Sequence, residues 1–279
     1  MLANSYGVNW LKVDLPFPCD IHLHTHRGAP NPGHYQVLSM FTEPEMYCLK
    51  GQTLEDHWRE FDLIITHDPE HLQYPNAILR MYWGREVGQL PAIKRFEISN
   101  VFSLGWLKPL PTEVPPPKLT LPGYDIRLEL LKRRSEITTP SKFFTGTRFS
   151  NWQETGLPPL LEDKRDCLFE SMFNICVENI TEKNYFTEKV IDCFNTYTVP
   201  IYYGCEHLSD HGLDEAGLIR FRTVDECIHI CNDLTPEDYY SRVPSLDHNR
   251  KVSQRYDEHV NIRIRDCILE ARGKSIFNR

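Results

Sequence analysis

The chain lacks any run of 18 apolar residues and any N-terminal secretion segment, so neither a membrane-crossing helix nor export by a signal peptide is expected. A soluble, cytoplasmic protein with no integral membrane segment is the reading this favours. Positive charge is also in deficit. There are 31 Lys and Arg against 39 Asp and Glu, a net charge of −8 with histidine neutral. That balance excludes a broad surface for nucleic acid or anionic lipid and leaves room only for a small basic cleft. No internal repeat and no low-complexity tract appears beyond one proline-rich stretch, which removes solenoids and arrays from consideration. Cysteines are few: nine, an odd number without a compact ligand series. They suit a reduced intracellular protein, leave at least one thiol outside any intramolecular pairing, and do not suggest a structural zinc site.

What is present is enough apolar material for a core. With 41% hydrophobic residues over 279 positions, the chain suits either two compact domains or one extended single domain. The stretch 109–123 reads PLPTEVPPPKLTLPG, and the fixed φ of its prolines favours an extended connector. A boundary near residue 120 follows, giving domains over 1–120 and 121–279. After Thr235 come charged helical candidates at 236–242 and 250–269, the last of which is expected to pack back onto the first domain.

The most informative local text is FNICVENITEKNYFTEK, residues 173–189. Met172 to Val177 is mostly apolar and reads as a strand, while Val190, Ile191 and Phe194 continue an apolar stripe at helical spacing. Thr187 is placed to cap that helix through its hydroxyl, with Glu188 and Lys189 in the first turn beside unpaired backbone donors. An anion is stabilised at such a place. In that setting the Glu188 carboxylate suits the paired hydroxyls of a ribose and Lys189 supplies charge to a diphosphate. The same Thr-Glu-Lys text also serves as an ordinary helix start that needs no ligand.

The longer segment FNICVENITEKNYFTEKVIDCFNTYTVPIYYG, residues 173–204, resembles the donor-binding signature of the α1,3/α1,4-fucosyltransferase family in its Glu-Asn, Tyr-x-Thr-Glu-Lys and Val-Pro-x-x-x-Gly elements. The resemblance implies that Asn179, Tyr185, Glu188 and Lys189 surround donor sugar, ribose and phosphate, with Gly204 near the same cleft. Gly204 also has a reason of its own, because a close backbone turn between Tyr203 and Cys205 suits glycine. Upstream, VLSMFTEPE at 37–45 resembles the family segment that carries a catalytic carboxylate, and FDLIITHD and ILRMYWG follow in the family's succession of strands. Glu43 is the implied base, with Glu45 and Glu86 as alternatives. RLELLKRRSEI at 127–137 resembles the helix before the donor signature, which makes Arg127 the implied diphosphate ligand. Arg133, Arg148, Lys164 and Arg165 stay open as further cations.

The resemblance covers residues 35–235 and implies an α/β fold in a GT-B-like arrangement, two Rossmann-like lobes with a cleft between them. It implies inverting transfer of fucose from GDP-fucose to a hydroxyl of an oligosaccharide or glycoprotein glycan, without a metal or other cofactor. The absence of an Asp-x-Asp pair agrees with metal-independent chemistry. UDP-xylose is the alternative donor, as in a viral or bacterial-like member whose donor and acceptor differ.

Other features have weaker claims. His22, His24 and His26 alternate along one strand and give a metal-site alternative. Trp10, Trp58, Trp83, Trp106 and Trp152 are possible sugar platforms of a non-catalytic carbohydrate-binding protein, although isolated aromatics more often complete cores. Asn179-Ile180-Thr181 is formally a glycosylation sequon; its place beside the expected donor site favours a hydrogen-bonding role instead.

Overall fold

The computed structural model describes residues 2–3, 8–10, 15–16, 21–24, 33–40, 48–49, 52–80, 93–102, 122–146, 155–160, 168–256 and 260–273. Within them the chain is α/β, with two six-stranded sheets. The first contains β1 (Leu2–Ala3), β2 (Val8–Trp10), β3 (Ile21–His24), β4 (Tyr35–Ser39), β5 (Leu63–Thr66) and β6 (Ala77–Leu79), side by side in chain order. Its β1–β2 and β2–β3 pairs are antiparallel, and β3 to β6 run parallel. Strands such as β5, LIIT, are buried at every position, as expected of parallel strands covered on both faces.

The second sheet is wholly parallel. It is built from β7 (Arg95–Phe102), β8 (Ser141–Gly146), β9 (Pro159–Leu160), β10 (Ser171–Val177), β11 (Val199–Tyr203) and β12 (Ile219–Arg220). In space they lie in the order β9-β8-β7-β10-β11-β12. Counted from β7 this is 3-2-1-4-5-6, the doubly wound order of dinucleotide-binding sheets. Two α/β lobes, one with a wholly parallel sheet and one with a sheet parallel from β3 to β6, meet the expected GT-B-like class. The first keeps a sequential order with an antiparallel edge, so the doubly wound pattern belongs to the second alone.

The helices are α1 (Leu54–His57), α2 (Pro122–Arg133), α3 (Glu188–Asn195), α4 (Val224–Asp233), α5 (Pro236–Tyr240), α6 (Val243–Ser253) and α7 (Val260–Gly273). The expected strand at 172–177 is β10, and the expected helix after Thr187 is α3. β7 joins the second sheet, so the sheets part between Leu79 and Arg95, ahead of the proline-rich stretch that marks residue 120. Residues 103–121 lie outside the described residues.

Two features lock the first lobe. On α7, Ile264, Cys267, Ile268 and Ala271 recur at helical spacing and are fully buried against Ile21, Leu23, Val37, Leu63, Ile65 and Ile78 of the first sheet. The two isoleucines alone contribute about 3–6 kcal/mol of apolar burial. Arg80, just past β6, adds an ion pair to Glu270 of the same helix at 2.5 Å. The second feature is polar. His22 Nδ1 and His24 Nε2 both approach Oε1 of Gln36, at 3.0 and 2.9 Å, inside the sheet. A carbonyl oxygen only accepts, so each of those ring nitrogens donates. His24 Nδ1 is buried without a hydrogen-bond partner, a place where a second proton is costly.

Acid sensitivity of the first lobe follows. Burial, partly offset by the bonds to Gln36, holds both imidazoles below their ordinary value of 6.5. Below pH 6.5 the unfolded chain therefore binds more protons than the folded one. The stability from these residues is present above pH 6.5 and is lost as pH falls through their lowered folded values. Melting temperatures taken from about pH 7.5 to about pH 5 are expected to fall. Asn at 22 and Gln at 24 place amide donors near Nδ1 and Nε2 respectively, so the variant His22→Asn/His24→Gln is expected to flatten that fall. An equally steep fall in the variant assigns the sensitivity elsewhere.

Candidate functional site

In the second sheet, the chain moves outward from β7 through β8 and β9, then returns to the other side of β7 as β10. Connections leaving the carboxyl ends of β7 and β10 therefore diverge, and ligands of such sheets bind in the crevice between them. The residue that follows β10 is Glu178, with no exposed surface. Its Oε1 accepts the Thr187 backbone N–H at 2.9 Å, and its Oε2 accepts the Thr187 hydroxyl at 2.7 Å and the Lys189 ammonium at 3.3 Å. Thr187 is the expected cap of α3: its Oγ1 accepts from the Lys189 backbone at 3.4 Å and from Lys189 Nζ at 2.8 Å. The positive end of α3 is thus answered from within the chain by the Glu178 carboxylate.

Two glycines make room for this residue. A Cβ on Gly123, in the first turn of α2, would lie 1.8 Å from the Glu178 carbonyl oxygen. One on Gly204, after β11, would lie 2.4 Å from the Tyr202 hydroxyl and 2.6 Å from Glu178 Cγ. Gly204 is required for close approach, in line with the reason seen in the sequence. Gly123 lets the start of α2 abut the end of β10, where its N–H donates to the Asn179 carbonyl at 3.0 Å.

The expected site residues fall into three groups. Arg127 and Asn179 meet: Arg127 Nη2 donates to the Val177 carbonyl and, at 3.0 Å, to Asn179 Oδ1, with the guanidinium 5.1 Å from the Tyr124 ring. Both are buried, so the Asn179 side chain faces into the fold although Thr181 of the same sequon is exposed. Glu188 and Lys189 meet at 3.6 Å, so the ammonium lies between two carboxylates while its side chain keeps 26% of its exposure. Tyr185 has 1% of its surface exposed. Its ring packs 5.3 Å from the imidazole of His67, which follows β5 in the first lobe. His67 Nε2 lies 3.4 Å from Glu182 Oε2, and its Nδ1 lies 3.0 Å from the Met40 carbonyl. Asn184, held at φ 61 and bonded to His211 Nε2 at 2.9 Å, sets the turn that delivers Tyr185.

Arg133 is at the other end of α2, ~9 Å along the axis from Arg127, and is paired with Glu129, Glu136 and Asp225. Those carboxylates raise its pKa. Glu43, Glu45, Glu86, Arg148, Lys164 and Arg165 lie outside the described residues. Among the described residues no cluster of three or more His, Cys, Asp or Glu is arranged to hold a metal ion, and His22 and His24 turn to Gln36. Of the tryptophans, Trp58 stacks on Tyr74 at 5.6 Å. Sequence reasoning passed over Glu178, Gly123 and His67. Glu178 stood in the Glu-Asn element, but nothing in that pair tells a buried acid from an exposed one.

Removing the carboxylate tests its structural weight. Glu178→Ala leaves the Thr187 donors and Lys189 without their shared partner, and is expected to cost about 3 kcal/mol of stability in urea titration. A loss below about 1 kcal/mol shows that α3 does not depend on it.

No family model matches the chain. Over 44 residues, 16% of this chain and 9% of the other protein, it is 41% identical to the α-(1,3)-fucosyltransferase FucT of Helicobacter pylori. Among solved structures it is similar to an α1,3-fucosyltransferase with GDP-fucose, at 15% identity and a TM-score of 0.47, covering 82% of this chain and 79% of that one. An α1,3-fucosyltransferase with GDP gives 18% identity and a TM-score of 0.48 over 85% and 71% of the two chains. TarM of S. aureus, solved with UDP, gives 9% identity and 0.47 over 89% and 52%.

Proposed function

We propose that this chain is a nucleotide-sugar-dependent glycosyltransferase that transfers fucose from GDP-fucose to a glycan hydroxyl with inversion. One observation carries the reading. The segment that resembles a fucosyltransferase donor signature starts within β10 and runs past its carboxyl end, where the strand order of a doubly wound sheet reverses. A signature of that kind on an unrelated surface would carry no such meaning. The short stretch of identity with a fucosyltransferase supports the same reading.

In this proposal the donor diphosphate lies along the crevice between β7 and β10. Charge balance divides the work there. Glu178, Lys189 and Glu188 together carry a net −1, so Lys189 alone does not neutralise a diphosphate. Arg127 supplies the planar donor fork through the N–H groups it does not use on Val177 and Asn179. The stretch 147–167, which contains Arg148, Lys164 and Arg165, is the source of any further cation. Glu188 accepts from the ribose hydroxyls, and Asn179 and Tyr185 shape the sugar end. Glu43 removes the proton of the acceptor hydroxyl as that oxygen attacks the anomeric carbon and the bond to the diphosphate breaks. Arg127, Lys189 and nearby backbone donors stabilise the leaving charge. No covalent enzyme intermediate is formed. No helix among the described residues is long and apolar enough to cross a membrane.

A panel of sugar nucleotides with purified protein tests the donor. Selective turnover of GDP-fucose is expected. Turnover of UDP-xylose alone makes the protein a xylosyltransferase, and sugar binding without transfer or donor hydrolysis makes it a carbohydrate-binding protein. Two substitutions test the roles. Glu43→Gln keeps the shape and removes the base, so transfer is expected to fall roughly 10²-fold or more with donor affinity retained; normal turnover at saturating substrates removes Glu43 from the mechanism. Lys189→Ala and Glu188→Gln are expected to weaken binding of intact donor and free nucleotide alike in calorimetric titrations, whatever the acceptor. Unchanged affinity in both variants takes the pair out of the donor site.

A further inference from the structure

The loop between β10 and α3 is held within its length as well as at its ends. Glu178 ties its ends by bonding Thr187 and Lys189. Between them stands Asn184, buried and at φ 61, a left-handed conformation that asparagine tolerates better than most residues. Two contacts from the segment after β11 grip it there. The fully buried Cys205 thiol faces the Asn184 backbone N–H, and His211 Nε2 lies 2.9 Å from Asn184 Oδ1. An amide oxygen only accepts, so Nε2 carries a hydrogen and donates, as a neutral imidazole can. Burial holds the pKa of His211 below the ordinary 6.5. The residue is itself anchored. It ends the 3₁₀ turn Leu208–His211, Gly212 follows at φ 79, and the Gly212 carbonyl accepts from His248 Nε2 of α6 at 2.8 Å. Beyond Asn184 the chain enters two surroundings in succession: Tyr185 packs 5.3 Å from His67 of the first lobe, and Phe186 packs 5.0 Å from the His211 ring and 5.5 Å from Tyr256. A slip at Asn184 displaces both.

We infer that His211 is a positioning residue for donor binding, which acts through Asn184 to hold the loop after β10 in the conformation that the nucleotide-sugar meets. This role rests on the glycosyltransferase reading and on the donor site in the second lobe, and is independent of which group serves as base. It has a physical motive. Asn179, Tyr185, Glu188 and Lys189 all stand on this loop or on the first turn of α3, so a loop that is only partly in the competent form weakens donor affinity by that fraction. A hydrogen bond made within the free protein keeps the fraction high before any ligand arrives. His211 touches the loop and none of those four residues, so its effect falls on affinity rather than on the chemical step.

The bond and the ring contact are separable by substitution. His211→Leu keeps apolar bulk against Phe186 and drops the bond. His211→Gln puts an amide donor near Nε2 and drops the ring. Asn184→Gly accepts the positive φ and removes the acceptor. These variants and the double variant His211→Leu/Asn184→Gly are titrated calorimetrically with GDP-fucose and GDP, with UDP-xylose and UDP in parallel, and compared for transfer kcat at saturating donor and for melting temperature. His211→Leu and Asn184→Gly are each expected to raise donor Kd roughly 3–10-fold, with kcat held within about twofold. His211→Gln is expected to restore Kd to within about twofold of wild type, and the double variant to lose no more than the weaker of its parents, because both remove one contact. An unchanged Kd in folded His211→Leu overturns the role. So does a His211→Gln variant as weak as His211→Leu, a loss confined to kcat, or losses that multiply in the double variant. If His211→Leu does not fold, Asn184→Gly and His211→Gln decide by the same limits. A wild-type protein that binds none of the four nucleotides overturns the glycosyltransferase reading and this role with it, whereas a binding wild type with an indifferent His211→Leu overturns the role of His211 alone.

Discussion

The buried carboxylate of Glu178 is the constraint around which the second lobe is arranged. An acid with no exposed surface needs several donors, and here they come from Thr187 and Lys189, nine and eleven residues further on. Those bonds bend the loop after β10 into a closed circuit that ends where α3 begins. Gly123 and Gly204 keep side-chain atoms out of the space around the acid and its carbonyl. Arg127 reaches the same strand end from α2 and ties Val177 to Asn179. Three elements thereby converge on one residue.

This circuit changes how the helix start reads. Taken from the sequence, Thr187, Glu188 and Lys189 open a helix whose free donors await an anion. In the structure an internal anion is already present, and Lys189 lies between two acids. The cation remains at the crevice, but its field is largely spent within the protein. Under the proposed function, that would shift the task of holding a diphosphate toward Arg127, whose guanidinium is fixed by burial and by Asn179.

Much of this was legible in the text of the chain because the signals were local. The run 172–177, the Thr187 cap and the apolar stripe of α3 depend on neighbours a few residues away, and each has its own periodicity or capping chemistry. The placement of β7 was not legible. Its strand precedes the proline-rich stretch, and composition marks a change of local conformation rather than the sheet in which a strand finds partners. His67 stayed hidden for a related reason: a histidine after LIIT looks like any strand end until Met40 and Glu182, 27 and 115 residues away, come beside it. Glu178 differs from a surface glutamate only in what surrounds it.

The return of α7 to the first sheet has a consequence for synthesis on the ribosome. Residues 93–256 contain every strand of the second sheet, so that lobe has all its sheet partners in one contiguous stretch. The first sheet does not. Ile21, Leu23, Val37 and Leu63 emerge early, yet Ile264, Cys267, Ile268 and Ala271, which cover them, emerge more than two hundred residues after Ile21. Until α7 is made, that apolar face lacks these covering side chains, even though its own strands precede those of the second sheet. The first sheet is therefore the one in need of shielding in a nascent chain, and loss of α7 strips its core.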